Sequence, residues 1–329
     1  MAIAGFDANP ILGPIELGVV IAAVLFGCAV VQMYVYYKKF PNDSWRIKGL
    51  VAFEMSLQIP HLVCLTAAMW TMTVTNYGEP QTLVTLPATS VTAVVLSAPI
   101  TFAVQVYFIV RLYRLSQDRF LPAFCIILAF VRLVFNMTLG IAGYYMKNVT
   151  VYEHEWSWII TSILAVSISC DLTIAAALSY HLNARRKTGF KQTTRIIDQM
   201  IVYTIETGLA TSLTDLIEGI FFWKMPNNYI WMGVYSFESG LYLNSLLAAL
   251  NSRALLNQMR TSEGVVEFEF GARRSDTVTG SGGEGDQRRK SRHPIVISVT
   301  QEIERERSAQ KELSRVATQE PPEQKISGL

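Results

Sequence analysis

Seven separate stretches of this 329-residue chain are apolar over the length a helix needs to cross a bilayer core, about 20 residues. They run over residues 15–37, 49–72, 88–110, 121–146, 157–182, 196–223 and 229–250. Hydrocarbon offers no water to bond backbone N–H and C=O groups, so such stretches must close their hydrogen bonds internally as helices. The predicted fold class is therefore all-α. It is a seven-helix transmembrane bundle with a short N-terminal segment, 1–14, and a mostly disordered tail, 251–329.

Charge follows the same division. The first 250 residues hold 29 charged side chains and the last 79 hold 25. The first part is too apolar for a water-soluble globule, and the second is too polar to build a core. A net charge of only +2 leaves no electrostatic footprint for nucleic acid. All four cysteines (Cys28, Cys64, Cys125, Cys170) fall inside spans, which predicts packing roles rather than disulfides or a metal site. No cofactor is expected, and no nucleophile–base pair suggests an enzyme.

Lysine and arginine set the expected orientation. Fourteen of them follow spans 1, 3, 5 and 7, from Lys38 to Arg260, whereas the opposite connections carry only Lys147 and Lys224. This places the N-terminus outside and the tail in the cytoplasm, with the plasma membrane as the expected location. Trp70, Trp156, Trp158, Trp223 and Trp231 cluster near the outer span ends, where an amphipathic indole prefers to sit. The first residues lack the basic region of a cleavable leader, so span 1 reads as an anchor. Pro60 and Pro99 lie inside spans 2 and 3 and are expected to kink them.

The functional signal is polar. An ionisable group at the bilayer centre costs at least about 2.5–3.5 kcal/mol, yet the spans contain Glu54, His61, Arg132, Asp171, Glu206, Asp215, Glu218 and Glu238. Counting helical rise, His61, Arg132, Asp171, Glu206 and Glu238 share one depth near the midplane. Most also lie on polar stripes: Glu54, Gln58 and His61; Arg132, Asn136, Gly140 and Gly143; Tyr235, Glu238, Tyr242 and Ser245. Asp215 sits beside the threonine stripe of span 6, while Glu206 points away from it. The candidate ligand or ion pocket comprises His61, Arg132, Asn136, Asp171, Glu206, Asp215, Glu238 and Tyr242. Arg132 is expected to pair first with Asp171, leaving the other acids to bind a cation, face water or stay protonated.

Known seven-span chemistries fit poorly. Span 7 has no lysine for a retinal Schiff base, one deep histidine cannot hold a catalytic zinc, and the G-protein-coupled-receptor motifs at the ends of spans 3 and 7 are missing. Asn148-Val149-Thr150 is a glycosylation sequon, but its short loop holds the acceptor close to the membrane. In the tail, Gly280-Ser281-Gly282-Gly283 reads as a flexible joint and residues 294–300 alternate like a strand. Ser275 and Ser291 follow basic runs as phosphorylation sites would.

Three blocks carry a likeness. The first starts at Asp171 and includes Leu182-Asn183-Ala184-Arg185-Arg186-Lys187-Thr188-Gly189-Phe190. The second is Tyr203-Thr204-Ile205-Glu206-Thr207-Gly208-Leu209. The third is Met225-Pro226-Asn227-Asn228, followed by the segment from Leu241-Tyr242-Leu243-Asn244-Ser245 to Ser252-Arg253. Here the chain resembles an uncharacterised family of fungal multi-pass membrane proteins, abundant in mushroom-forming basidiomycetes and defined by a domain of unknown function. The resemblance implies a seven-span, N-out fold and no activity. It also implies a lysine where this chain has Gly240, which would leave Glu238 without a near cation. The expected function is receptor- or sensor-like: a small ligand near the midplane, signalling to a cytoplasmic protein partner through the 183–195 loop and the tail. A proton- or cation-coupled transporter and a ligand-free membrane scaffold are the alternatives.

Overall fold

The computed structural model describes residues 8–276 except 117, 147, 187–190 and 226–227; for 80, 185–200 and 254–276 it describes the backbone alone. Ser275 and Ser291, the strand-like island at 294–300 and the side chains of the 183–195 connection beyond Ala184 lie outside the described side chains.

The described residues form an all-α chain without strands. Its seven α-helices are α1 (Asn9–Lys39), α2 (Trp45–Trp70), α3 (Ala88–Ser116), α4 (Phe120–Tyr145), α5 (Val149–Arg186), α6 (Lys191–Lys224) and α7 (Ile230–Asp276). A π-helical turn, Thr71–Thr75, extends α2, and a 3₁₀ turn spans Pro80–Val84. Each apolar stretch of the sequence coincides with one α-helix. Contacts group residues 1–270 into one unit and 271–329 into another; of the second, only the helical residues to 276 are described.

Among the described residues five helices, α1 to α5, are long and apolar enough to cross a membrane by length and composition, and the described parts of α6 and α7 are not. The two exceptions have a physical reason. On α6, Glu206, Asp215 and Glu218 fall within 13 residues, which offsets an outer face of Val202, Ile205, Leu209, Leu213, Leu216 and Ile220, all exposed. On α7, no described residue from 228 to 253 is exposed. A helix walled in on every side needs no apolar exterior, so α7 can carry Ser236, Glu238, Ser239, Tyr242, Asn244 and Ser245 at little cost.

Burial is inverted relative to a soluble protein. Exposed positions include Leu17, Val24, Val31, Phe124, Ile127 and Phe130, whereas Glu54, Gln58, Arg132, Asp215, Glu218 and Glu238 are buried. An apolar exterior of this extent around a polar interior is suited to a lipid solvent. Together with the five qualifying helices it makes this a multi-pass membrane protein.

Small residues set the helix spacing. A Cβ at Gly18 on α1 would overlap the carbonyl of Gly233 on α7, and a Cβ at Gly233 would overlap that of Pro14. At Gly140 it would lie 2.6 Å from Val95 Cγ2, so α4 and α3 also close on a glycine. All four cysteines are free thiols. Of the tryptophans, Trp70, Trp158 and Trp223 are exposed as a lipid-interface position requires. Trp231 is not: it is 7% exposed and donates its indole N–H to Glu153 Oε1 at 3.2 Å. This corrects the interfacial reading, because an inward-facing indole is anchored by its N–H partner rather than by lipid.

Asn148 also has a structural task. Its Oδ1 accepts from the backbone N–H of Thr150 at 3.0 Å and of Val151 at 3.4 Å, capping the start of α5. Asn148→Ala should therefore lower stability by about 1 kcal/mol, measured as the thermal midpoint in detergent.

At the other end of the bundle, Arg253 clamps the α1–α2 connection. Its Nη2 donates to Asp43 Oδ2 at 2.6 Å and its guanidinium lies 4.6 Å from the Phe40 ring centroid. Tyr36 donates its hydroxyl to the same carboxylate at 3.1 Å. Burial alone would push the Asp43 carboxyl up; the hydrogen bond and charge of Arg253 outweigh it, with help from Tyr36 and Lys48, and hold it below its ordinary value. A lowered folded-state value means this stabilisation is complete above about pH 4, the unfolded value, and is lost as pH falls through the folded value. Both side chains are partly exposed, so the effect is at most about 1 kcal/mol. Asp43→Asn should lower stability by up to about 1 kcal/mol above pH about 5 and converge on wild type as pH falls, because the variant has no carboxylate to protonate; unfolding midpoints across pH check this.

Candidate functional site

The buried ionisable layer is assembled by four helices around Arg132 of α4. Arg132 and Asn136 lie one turn apart on the buried stripe of α4, and the guanidinium reaches α7, where Glu238 and Tyr242 stand one helical turn apart and face it together. Arg132 Nη2 forms a buried ion pair with Glu238, and Nη1 donates to the Tyr242 hydroxyl at 2.7 Å. The guanidinium carbon lies 4.9 Å from the centroid of the Tyr242 ring, a cation–π stack strengthened by exclusion of water.

Tyr242 connects this pair to α5. Its hydroxyl donates to Asp171 Oδ2 at 2.5 Å, and Gln105 of α3 donates to Asp171 Oδ1 at 3.0 Å. Ser167, one turn before Asp171, donates to Asp215 Oδ2 of α6 at 2.5 Å and lies 3.3 Å from the Tyr242 hydroxyl. The carboxylates of Asp215, Glu218 and Glu238 have oxygens within 4.8 Å of one another, close enough to surround a small cation or be bridged by one water. Asp215 Oδ1 and Glu218 Oε2 are buried without a hydrogen-bond partner. One guanidinium thus faces four acids in a space closed to bulk water, where carboxylates cannot all hold charge at once.

The expected pairing of Arg132 with Asp171 is corrected: Glu238 takes the ion pair, and Asp171 is reached only through Tyr242. The reason is the one-turn spacing on α7, which presents a carboxylate and a phenol to one guanidinium. Gly240 therefore does not strip Glu238 of a cation, since Arg132 supplies it from another helix.

Asn136 lies one turn from Arg132, with its Oδ1 3.5 Å from the Tyr235 hydroxyl, which is itself 2.7 Å from Ser97 Oγ. His61 belongs to a neighbouring group: its Nδ1 and Gln58 Nε2 each lie 3.4 Å from Ser239 Oγ. Glu54 is fully buried with neither carboxylate oxygen partnered. Glu206 is corrected out of the pocket. It is exposed on the outer side of α6, about half a turn from the threonines that face inward. Gln105, Ser167 and Ser239 are the site residues the sequence did not single out. Lone uncharged side chains in apolar spans give no signal until a partner helix is placed beside them.

Two cavities flank this layer. At the end where α1 begins, all seven helices surround a cavity of about 80 Å³. Its walls are apolar, including Val19, Leu65, Val94 and Leu164, while Asn136, Glu218 and Tyr235 supply polar atoms. Toward the opposite end a cavity of about 30 Å³ is lined by Gln105, Asp171, Thr207, Thr211, Tyr242 and Ser245.

Residues 167–255 match a family described as "Family of unknown function (DUF6534)". That segment contains Ser167, Asp171, Asp215, Glu218, Glu238 and Tyr242 and leaves out Arg132 and Gln105. Neither curated proteins nor solved structures give a match to the chain. What the comparisons and the fold support together is a helical membrane protein carrying a domain of unknown function.

Proposed function

We propose that this is a receptor- or sensor-like protein of the plasma membrane with seven spans and an outside N-terminus, which binds a small ligand in the cavity at the outer end of the bundle. The observation that carries the reading is the composition of that cavity: apolar walls from six helices closing on Asn136, Tyr235 and, from the seventh helix, α6, Glu218. Such a lining favours a compact apolar body with one hydrogen-bond-donating or cationic head group, an amine above all. On a scale where one water needs about 10–15 Å³, the space holds roughly half a dozen heavy atoms.

A ligand amine beside Glu218 supplies the positive charge that the acid cluster lacks, and so changes how Arg132 divides its bonds between α7's Glu238 and Tyr242. Because α7 touches the other helices, a change in those bonds alters the bundle's inner face. There the basic 183–195 connection and the tail present themselves to a cytoplasmic partner.

A thermal-shift panel of small primary amines and matched alcohols, run on purified protein in detergent, tests this. An amine at a hundredfold excess over its Kd should stabilise the protein by about 2.7 kcal/mol. Ala68→Leu, which fills the cavity from α2, should abolish the shift for every compound, and Glu218→Gln should remove the preference of amines over alcohols. A panel that shifts wild type and Ala68→Leu alike, or neither, defeats the reading.

A further inference from the structure

The two cavities end on opposite sides of the same chain of polar atoms. Glu218 borders the first cavity with an unpartnered oxygen and shares the 4.8 Å carboxylate cluster with Asp215. Asp215 bonds Ser167 at 2.5 Å, Ser167 lies 3.3 Å from the Tyr242 hydroxyl, and Tyr242 bonds Asp171 at 2.5 Å. Asp171 and Tyr242 both border the second cavity. That cavity shares Phe108, Thr204 and Thr207 with a third, lined also by Arg111 and Ser252 at the inner end. The second cavity, about 30 Å³, has room for two or three waters on the scale above, and the third, about 10 Å³, is near the size of one.

We infer that Glu218, Asp215, Ser167, Tyr242 and Asp171 form a proton relay joining the outer cavity to the inner one across the bilayer midplane. The elements come from α5, α6 and α7, and no gap between successive oxygens in the Asp215–Asp171 portion exceeds the 3.3 Å between Ser167 and Tyr242.

Between Glu218 and Asp215, whose oxygens lie within 4.8 Å, one bridging water carries the proton and recharges Asp215 after each transfer; the remaining steps balance among the side chains themselves. Ser167 first turns its hydroxyl from Asp215 toward Tyr242. A proton on Asp215 then passes to Ser167 Oγ, the proton already on Ser167 passes to the Tyr242 oxygen, and the Tyr242 proton passes to Asp171 Oδ2. At each hydroxyl one O–H bond forms as one breaks. Asp215 ends ionised, Asp171 ends neutral, and Ser167 and Tyr242 recover their starting orientation by rotating about their C–O bonds.

Arg132 acts as a positioning residue. By donating to the Tyr242 oxygen at 2.7 Å and stacking on its ring, it directs the phenolic proton at Asp171. Among the described residues, the groups facing the relay include Arg132 and Cys125 on α4, Gln105 on α3, Cys170 on α5, and Tyr235 and Glu238 on α7.

The inference does not require a ligand, but it does require that the bundle span the membrane. It is tested with full-length protein in phosphatidylcholine–phosphatidylglycerol vesicles holding a trapped pH-sensitive dye. A valinomycin-set potassium gradient drives protons inward. Wild type should acidify the lumen faster than protein-free vesicles do. Tyr242→Phe keeps the ring over Arg132 and removes only the hydroxyl; it and Ser167→Ala should each slow entry by about a hundredfold. Glu206→Gln, on the outer surface, should leave entry unchanged. Thermal midpoints of the variants confirm that they are folded.

An impermeant maleimide applied to Ser44→Cys and Asn148→Cys vesicles reports whether the two ends lie on opposite sides. Both ends labelled from one side would overturn the spanning reading, and the relay with it. A correctly inserted wild type that conducts no faster than lipid would overturn the relay alone. So would folded Tyr242→Phe and Ser167→Ala variants that conduct as wild type does.

Discussion

Arg132→Gln is expected to destabilise the protein by about 3–5 kcal/mol, the range for removing one partner of a buried ion pair. Arg132 is 2% exposed and is the cation facing Asp171, Asp215, Glu218 and Glu238. Without it Glu238 keeps its burial and loses its counter-charge, and the Tyr242 oxygen loses a charge-assisted donor. Glutamine can replace one of those hydrogen bonds but none of the charge. The measurement is the unfolding midpoint in detergent at neutral pH, compared with Arg132→Gln/Glu238→Gln. Because the two side chains touch, their effects should not add: the double variant should recover part of what the single variant loses. A single variant as stable as wild type would show that the acids are already neutral and that the ion pair contributes nothing.

Gly233→Ala should be among the most damaging single-methyl additions, at about 3 kcal/mol or slightly beyond, the upper end for overpacking a rigid contact. The added carbon would meet a backbone carbonyl of α1, not the far end of a side chain that could swing away. Gly18→Ala meets the reciprocal carbonyl on α7 and should behave alike. Gly27, further along α1, has nothing within 4 Å of its Cβ position. Gly27→Ala should therefore be neutral or gain up to about 1 kcal/mol from helix propensity. Equal midpoints for Gly233→Ala and Gly27→Ala would mean that α1 and α7 do not close on those glycines.

Much of the fold was legible because lipid simplifies the problem. One long apolar run makes one helix, and each expected span coincides with a described α-helix. The runs of α6 and α7 were visible too, although neither passes as a membrane span on apolarity alone. α6 hides its acids on an inward face, and α7 has no outward face to reveal. Arg132, Asp171, Asp215, Glu238 and Tyr242 could be singled out because an ionisable or polar stripe in hydrocarbon is costly wherever it sits.

Their partners could not be read. Depth along a helix comes from counting residues, but rotation about its axis comes from neighbours. Two groups at one depth, such as Arg132 and Asp171, can therefore face past each other while Glu238 takes the bond. Glu206 failed for the same reason: its depth suited the layer and its azimuth did not. Trp231 and Asn148 had competing uses, as a core indole and a helix cap, that only tertiary context decides between.

The walled-in position of α7 has a consequence for biosynthesis. Chains are made from the N-terminus, so α7, the helix that fills the middle of the bundle, leaves the ribosome after α1 to α6. Until it arrives, the six earlier helices must hold a polar groove in which Arg132 lacks its counter-ion and Asp171 its phenol. Completion of the bundle is thus a docking event that waits for α7, and a chain stalled or cut before residue 230 should be met by membrane quality control as an orphan with exposed charge.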